Sequence, residues 1–230
     1  MIDLHNHVLP GVDDGAADLA AAIAMARAFV NDGVSIVAAT PHILPGLYHN
    51  RGTQIREAVA VLQTHLDDAD IPLTVVTGAD NHMVPDFLAG LQDGRLLTLA
   101  DTRYVLVEPP HHVAPARIEE FFFDLVTTGY VPILTHPERL SWIKSHYRII
   151  QNLVRTGVWM QVTCGSLTGS FGEGPQRWAN RLLAEGCVHI LASDAHDVAR
   201  RPPLMTRARA IAARHVGEVE ARHLTETRPR

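Results

Sequence analysis

The residues best suited to chemistry in this 230-residue chain are histidines and acids placed just after short apolar runs. Asp3-Leu4-His5-Asn6-His7 comes first, followed by Thr40-Pro41-His42, Gly78-Ala79-Asp80 and Val107-Glu108. Thr135-His136-Pro137-Glu138-Arg139 and Ser193-Asp194-Ala195-His196 complete the series. Imidazole with carboxylate is a donor set for divalent transition metals, and strand alternation sends His5 and His7 to one side. The chemistry this points to is that of a rim of metal ligands.

Such a rim needs elements that bring distant segments together. Ile2–His7, Ser35–Thr40, Leu73–Thr77, Tyr104–Val107, Val131–Thr135, Val158–Thr163 and Val188–Ala192 read as apolar strands. Helices are predicted from the N-cap Asp18 to Asn31 and on the Ile55, Val59, Leu62, Leu66 face. A short one opens at Pro85, and others lie near Pro115–Thr128, Ser145–Thr156, Pro175–Glu185 and Pro203–His215. Near-continuous apolar strands alternating with helices argue for a parallel sheet, and seven such units over 1–230 favour a single closed or nearly closed barrel domain. Periodicity leaves a doubly wound open sheet as the alternative. Six of the seven strands then deliver His, Asp or Glu at their C-terminal ends, which share one face in a barrel. The charged tail from Glu218 to Arg230 is expected to fray.

Composition supports this frame. The chain is 47% hydrophobic, enough for a substantial core, and carries a net charge of −5. With a pI near 6.2 there is no bulk attraction to nucleic acid, so no nucleic-acid partner is expected. Fourteen histidines are an excess that fits a metalloprotein. Cys164 and Cys187 lack CxxC spacing, and neither a signal segment nor a membrane span is evident. A cytoplasmic protein without direct membrane insertion is expected.

Taken together, these motifs resemble the PHP (polymerase and histidinol phosphatase) superfamily. The resemblance is closest to its manganese-dependent tyrosine-protein phosphatases of capsular and exopolysaccharide synthesis. It rests on Asp3-Leu4-His5-Asn6-His7, Gly11-Val12-Asp13-Asp14-Gly15, Ala39-Thr40-Pro41-His42, Thr135-His136-Pro137-Glu138-Arg139 and Ser193-Asp194-Ala195-His196. It implies a distorted (β/α)7 barrel of the PHP fold with a three-metal centre at its mouth. His5, His7 and Asp194 would hold the first metal, Glu108 and His136 the second, and Asp14, His42 and His196 the third. Asp80 stands where the family has a bridging Glu, a shorter but competent hard ligand. Arg139 and Arg201 would bind phosphate, with Arg200 beside Arg201 as the alternative.

The resemblance implies metal-assisted hydrolysis of a phosphomonoester, with Mn2+ favoured and iron, zinc or cobalt acceptable. The expected partner is a phosphotyrosine-bearing protein, a bacterial tyrosine kinase. Histidinol phosphate and a non-catalytic metal-binding module are the rival readings. His65, His146, His189, His215 and His223 read as structural, whereas His82, His111 and His112 stay open between substrate contact and loop. Glu138 reads either as a partner to its neighbours or as a solvated charge. Cys164 lacks the arginine of a Cys-x5-Arg phosphate loop, since Ser170 stands there, so it is not expected to be a nucleophile. The Gly165–Gly172 stretch reads as a loop over the mouth.

Overall fold

In the computed structural model, which describes residues 1–229, helices and parallel strands alternate from the start. The order is β1 (Ile2–Asn6), α1 (Leu19–Asn31), β2 (Ile36–Ala39), β3 (His42–Ile43), α2 (Gly52–Asp68), β4 (Thr74–Thr77), β5 (Asp80–His82), α3 (Phe87–Gln92) and β6 (Tyr104–Glu108). There follow α4 (Ile118–Thr127), β7 (Val131–Thr135), α5 (Ile143–Arg155), β8 (Trp159–Thr163), α6 (Cys164–Thr168), α7 (Glu173–Ala184), β9 (Ile190–Ala192), α8 (Met205–Val216) and α9 (Glu218–Arg222). Local chemistry explains the boundaries. Asp18 caps α1 by accepting from the Ala21 N–H at 2.8 Å, as its position before the Ala-rich run predicts.

Pairing runs β1-β2-β4 in one sheet and β3-β5-β6-β7-β8-β9 in the other. The two are one curled wall broken at a common level. β3 resumes β2 after Thr40-Pro41, and β5 resumes β4 after Gly78-Ala79. Pro41 has no N–H for a ladder. Gly78 is required by close approach, because a Cβ there would lie 2.9 Å from Leu99 and 3.0 Å from Thr40. The outer edges meet where Asp194 N–H donates to the His5 carbonyl at 2.7 Å and His7 N–H to the Ala195 carbonyl at 2.9 Å. This is the predicted distorted (β/α)7 arrangement, with the second and third strands each in two pieces.

Inside the wall sits a small apolar layer of Ala38, Leu106, Ile133 and Ile190, with Leu4, Val76 and Trp159 packed against it and Leu99 plugging it. Each strand path contributes one of these residues. The larger core lies outside, between sheet and helices, and includes Val37, Val75, Val105, Leu134, Met160, Val162 and Leu191. Alternation therefore makes both faces of each strand apolar at the bottom, which is why the strands read as continuous apolar runs.

Two expectations fail. The tail is not frayed through the described residues: α9 and a π-helical turn at His223–Thr227 continue the chain, with Ala221, Leu224 and Thr225 buried. Their spacing seats one side of a polar segment against β9, which composition alone hides. The Gly165–Gly172 stretch is likewise not all loop, since buried α6 occupies Cys164–Thr168 and only the following turn reaches the rim. None of the described helices is long and apolar enough to cross a membrane.

Candidate active site

The strand ends deliver their polar residues to one concavity. His5 stands at the end of β1, where the β1–β2 register shifts between Asp3 and Asn6, and it is fully buried. Its Nδ1 donates to Gln161 Oε1 at 2.9 Å, which turns Nε2 toward Asp80 Oδ2 at 3.5 Å and Asp194 Oδ1 at 3.7 Å. Gln161 also accepts from the His136 backbone N–H at 3.2 Å. The one strand path that brings no ligand type to the mouth thus supplies, from Gln161 inside Trp159–Thr163, the group that orients two histidines, a role sequence reasoning missed.

Asp13 and Asp14 divide their work. Asp13 Oδ2 accepts from His7 Nδ1 at 2.7 Å and from the His42 N–H at 3.0 Å, so His7 presents Nε2 to the site. Asp14 Oδ1 instead faces His42 Nε2 at 3.6 Å and His196 Nε2 at 3.5 Å. Gly15 makes this fold-back possible, since a Cβ there would lie 2.1 Å from the His7 carbonyl oxygen. The Asp14 side of the mouth opens to solvent and is flanked by Tyr48, whose ring stacks on His42 at 5.5 Å.

Glu108, at the end of β6, gathers the most partners. Its Oε1 lies 3.4 Å from His136 Nε2 and accepts from His111 Nε2 at 2.8 Å. Its Oε2 lies 2.5 Å from His82 Nε2 and 3.3 Å from His42 Nδ1. His82 and His111, left open by the sequence, thus stand at the site, while His112 is exposed. His65, His146 and His215 stay on helices as expected. His189 precedes β9 rather than lying within it, and its Nδ1 accepts from the Met160 N–H at 3.1 Å.

Asp194 joins the two halves. Its Oδ1 faces His5, His7 at 3.5 Å and His196 at 3.6 Å. Its Oδ2 receives Arg139 at 2.5 Å and Arg201 at 2.7 Å. Arg200 points away, 90% exposed, so the structure separates the two neighbouring arginines by orientation. Asp197 sets that turn by accepting from the Ala199 and Arg200 N–H groups at 2.7 and 2.6 Å. The ring of Phe171, in the turn after α6, lies beneath both guanidinium groups, at 4.5 Å from Arg139 and 5.6 Å from Arg201. Sequence reasoning missed this ring, because nothing in the chain links position 171 to positions 139 and 201.

His136 and Asp194 adopt left-handed backbone, with φ of 33° and 51°. Non-glycine residues rarely hold that conformation, and its occurrence at two polar strand ends marks strain retained at a site. Glu138 is not a solvated charge: it is buried and accepts from Thr163 N–H at 3.0 Å and Ser166 Oγ at 2.7 Å, tying α6 beneath the mouth. Burial pushes its carboxyl up to about 7. Asp3 does similar work on the other side, accepting from Ser193 N–H and Oγ at 2.8 and 2.6 Å. Cys164 is fully buried against Met205, and burial drives its thiol well above the ordinary value, so no thiolate is on offer.

The electrostatics suit a cation. Burial opposes charge on His5, yet Asp80 and Asp194 raise it to about 9; burial likewise opposes charge on His42, yet Asp80 and Glu108 raise it to about 11. His136 goes the other way, down to about 3, through burial and the nearby Arg139. Burial would neutralise Asp194, but His5, His7 and the two arginines hold it well below the usual carboxylate range. Both oxygens of Asp80 and His5 Nε2 are buried with no hydrogen-bond partner among the described residues, and Glu108 Oε2 is met by the His82 and His42 rings. Orphaned carboxylate oxygens at this depth are costly unless a cation meets them. Donor atoms converge in four groups: His7, Asp14, His42 and His196; His5, His7 and Asp80; His42, His82 and Glu108; Glu108, His111 and His136. The residues present therefore fit divalent metal ions.

Comparison with known proteins agrees. Tyrosine-protein phosphatase YwqE of Bacillus subtilis (strain 168) is 41% identical over 201 residues, spanning 87% of this chain and 79% of the relative. Tyrosine-protein phosphatase CpsB of Streptococcus pneumoniae is 27% identical over 235 residues, spanning 100% and 97%. A chain from the crystal structures of YwqE and CpsB, described as metal-dependent tyrosine phosphatases, superposes with a TM-score of 0.94 at 38% identity, over 97% of this chain and 91% of that one. Histidinol phosphate phosphatase from Lactococcus lactis subsp. lactis shares the fold alone, with a TM-score of 0.61 at 11% identity over 97% and 94%. The family model for capsular polysaccharide synthesis, CpsB/CapC, matches residues 1–230, and this chain belongs to that family.

Proposed function

We propose that this chain is a metal-dependent protein-tyrosine phosphatase acting in capsular or exopolysaccharide synthesis, on a phosphotyrosine-bearing protein that is itself a bacterial tyrosine kinase. The observation that carries the reading is the convergence of Arg139 and Arg201 on one carboxylate oxygen beside the histidine cluster. Two guanidinium forks aimed at a single oxygen can exchange it for phosphoryl oxygens, a geometry a purely structural metal site does not need.

The ligands we assign are His5, His7, Asp14, His42, Asp80, Glu108, His136, Asp194 and His196, for up to three ions. Manganese is the ion we favour, and the mixed imidazole and carboxylate set also suits iron, zinc or cobalt. Divalent ions at such a site supply an activated water and neutralise phosphoryl oxygens. The chain's own groups do the rest. Arg139 and Arg201 bind the phosphoryl group and offset the charge it gathers, while Gln161 and Asp13 hold His5 and His7 in the tautomers that present Nε2. The phenol that leaves has a pKa of about 10, so it needs little acid assistance.

The test is initial phosphate release by metal-stripped, manganese-reloaded protein on a phosphotyrosine peptide and on histidinol phosphate. Preference for the peptide, abolished in Asp194→Asn, is expected. Preference for histidinol phosphate, or turnover that survives the substitution, overturns the assignment.

A further inference from the structure

Two histidines crowd Glu108 without a role in the scheme above. We propose that His111 is a metal ligand, completing with Glu108 and His136 a site of two imidazoles and one carboxylate; this rests on the phosphatase reading, whose metal centre it refines.

Spacing is the first argument. His111 Nε2 and His136 Nε2 stand 2.8 and 3.4 Å from the same oxygen, Glu108 Oε1, and the two rings are 5.0 Å apart. The three donor atoms all lie within 4.8 Å of one another. Ions bonded at about 2.0–2.2 Å separate neighbouring ligand atoms by about 3–3.6 Å, so only small shifts are needed.

Donor count is the second. Asp80 Oδ2 lies 3.5 and 3.3 Å from His5 and His42, and Asp80 is not among the donors that converge with Glu108 and His136. Glu108 and His136 alone would offer two side chains, whereas metal sites open to substrate usually keep three protein ligands. His111 supplies the third.

Preorganisation is the third. The backbone around His111 is clamped to the turn after β7: its carbonyl accepts from Ser141 N–H and Oγ, each at 3.0 Å, and the Pro110 carbonyl accepts from Trp142 Nε1 at 2.9 Å. A surface histidine with no task has no use for three such ties. His82 holds the opposite oxygen of Glu108 at 2.5 Å, which leaves Oε1 to His111 and His136. His112, one residue on, is exposed and outside the group, so adjacency alone does not place a histidine here. An added imidazole shifts this position toward nitrogen-preferring ions such as zinc, cobalt or ferrous iron.

The test uses Co2+ alone as the probe. Metal-stripped protein is titrated while bound cobalt is counted by equilibrium dialysis and its visible d–d absorption is followed. His111→Ala is expected to weaken one cobalt site at least about tenfold and to alter the d–d band. His136→Ala should affect the same site, and His112→Ala should titrate as the parent does. If His111→Ala titrates like the parent while His136→Ala loses a site, the role of His111 is overturned and the metal-dependent reading stands. If the parent takes up no cobalt, both are overturned.

Discussion

The same strands end in opposite chemistry. At the bottom of the barrel Leu4, Ala38, Val76, Leu106, Ile133, Trp159 and Ile190 close an apolar layer with no charge in it. A few residues along those strand paths, His5, His42, Asp80, Glu108, His136, Gln161 and Asp194 crowd charge and imidazole into the mouth. The lower layer is stable on its own terms, because burying apolar area is favourable wherever it happens. The upper layer is stable only in company: both oxygens of Asp80 lack hydrogen bonds, and two of its residues hold left-handed backbone. The difference teaches that the bottom supports what the mouth would otherwise not sustain, so the two should separate under mutation.

The sharpest way to break the comparison is at the mouth. His136→Ala is expected to lower kcat/KM on a phosphotyrosine peptide by at least about 10³-fold while the apo protein's melting midpoint stays close to the parent's. Equal loss of folding would mean that the mouth also carries the barrel. The converse change is Leu106→Ala, which opens a cavity in the lower layer and should cost about 3 kcal/mol in urea unfolding. The folded fraction should keep the parent's kcat; a large fall in kcat with unchanged stability would erase the distinction drawn between the layers.

Within the mouth, Arg201→Lys should reduce kcat/KM by about 10²-fold, because an ammonium cannot replace a planar fork. Arg200→Lys should stay near the parent value. This pair also shows what the sequence could convey. The family resemblance favoured Arg201 with Arg200 as the alternative, and the Asp197 turn that directs Arg200 to solvent is a matter of backbone geometry. The succession of strands and helices along the chain and the position of the histidines were legible because apolar runs and polar ends alternate throughout. Gln161, Asp3 and Glu138 were not, since a polar residue inside or beside an apolar strand gives no hint of which distant group it will meet. The buried turn at His223–Thr227 was hidden for a related reason: few apolar residues suffice when they all face one strand.

A smaller effect probes the bottom layer by pH. His189 stacks on Trp159 at 5.6 Å, and burial, with Arg228 nearby, lowers it to about 4. The unfolded chain takes up this proton near pH 6.5 and the folded one only near 4. Stability is therefore complete above 6.5, falls as pH drops through that window and levels off below it. His189→Gln should remove about 2 kcal/mol of the difference between pH 7 and pH 4 in urea unfolding. An unchanged pH dependence would show that neutral His189 is not needed beneath the barrel.

The smallest expected effect lies where the mouth meets an apolar group. Phe171 packs its ring against Gly165 and beneath the guanidinium groups of Arg139 and Arg201. The contact holds the forks in place without taking their hydrogen-bonding capacity, and such pairs are worth about 0.5–1 kcal/mol when partly exposed. Phe171→Leu preserves apolar bulk but loses the ring face, so it should raise KM for the phosphopeptide about threefold with little change in folding. Phe171→Tyr keeps the face and should restore the parent KM. If leucine and tyrosine behave alike, the ring serves only as packing over α6, and the arginines are positioned by the backbone of their own turns.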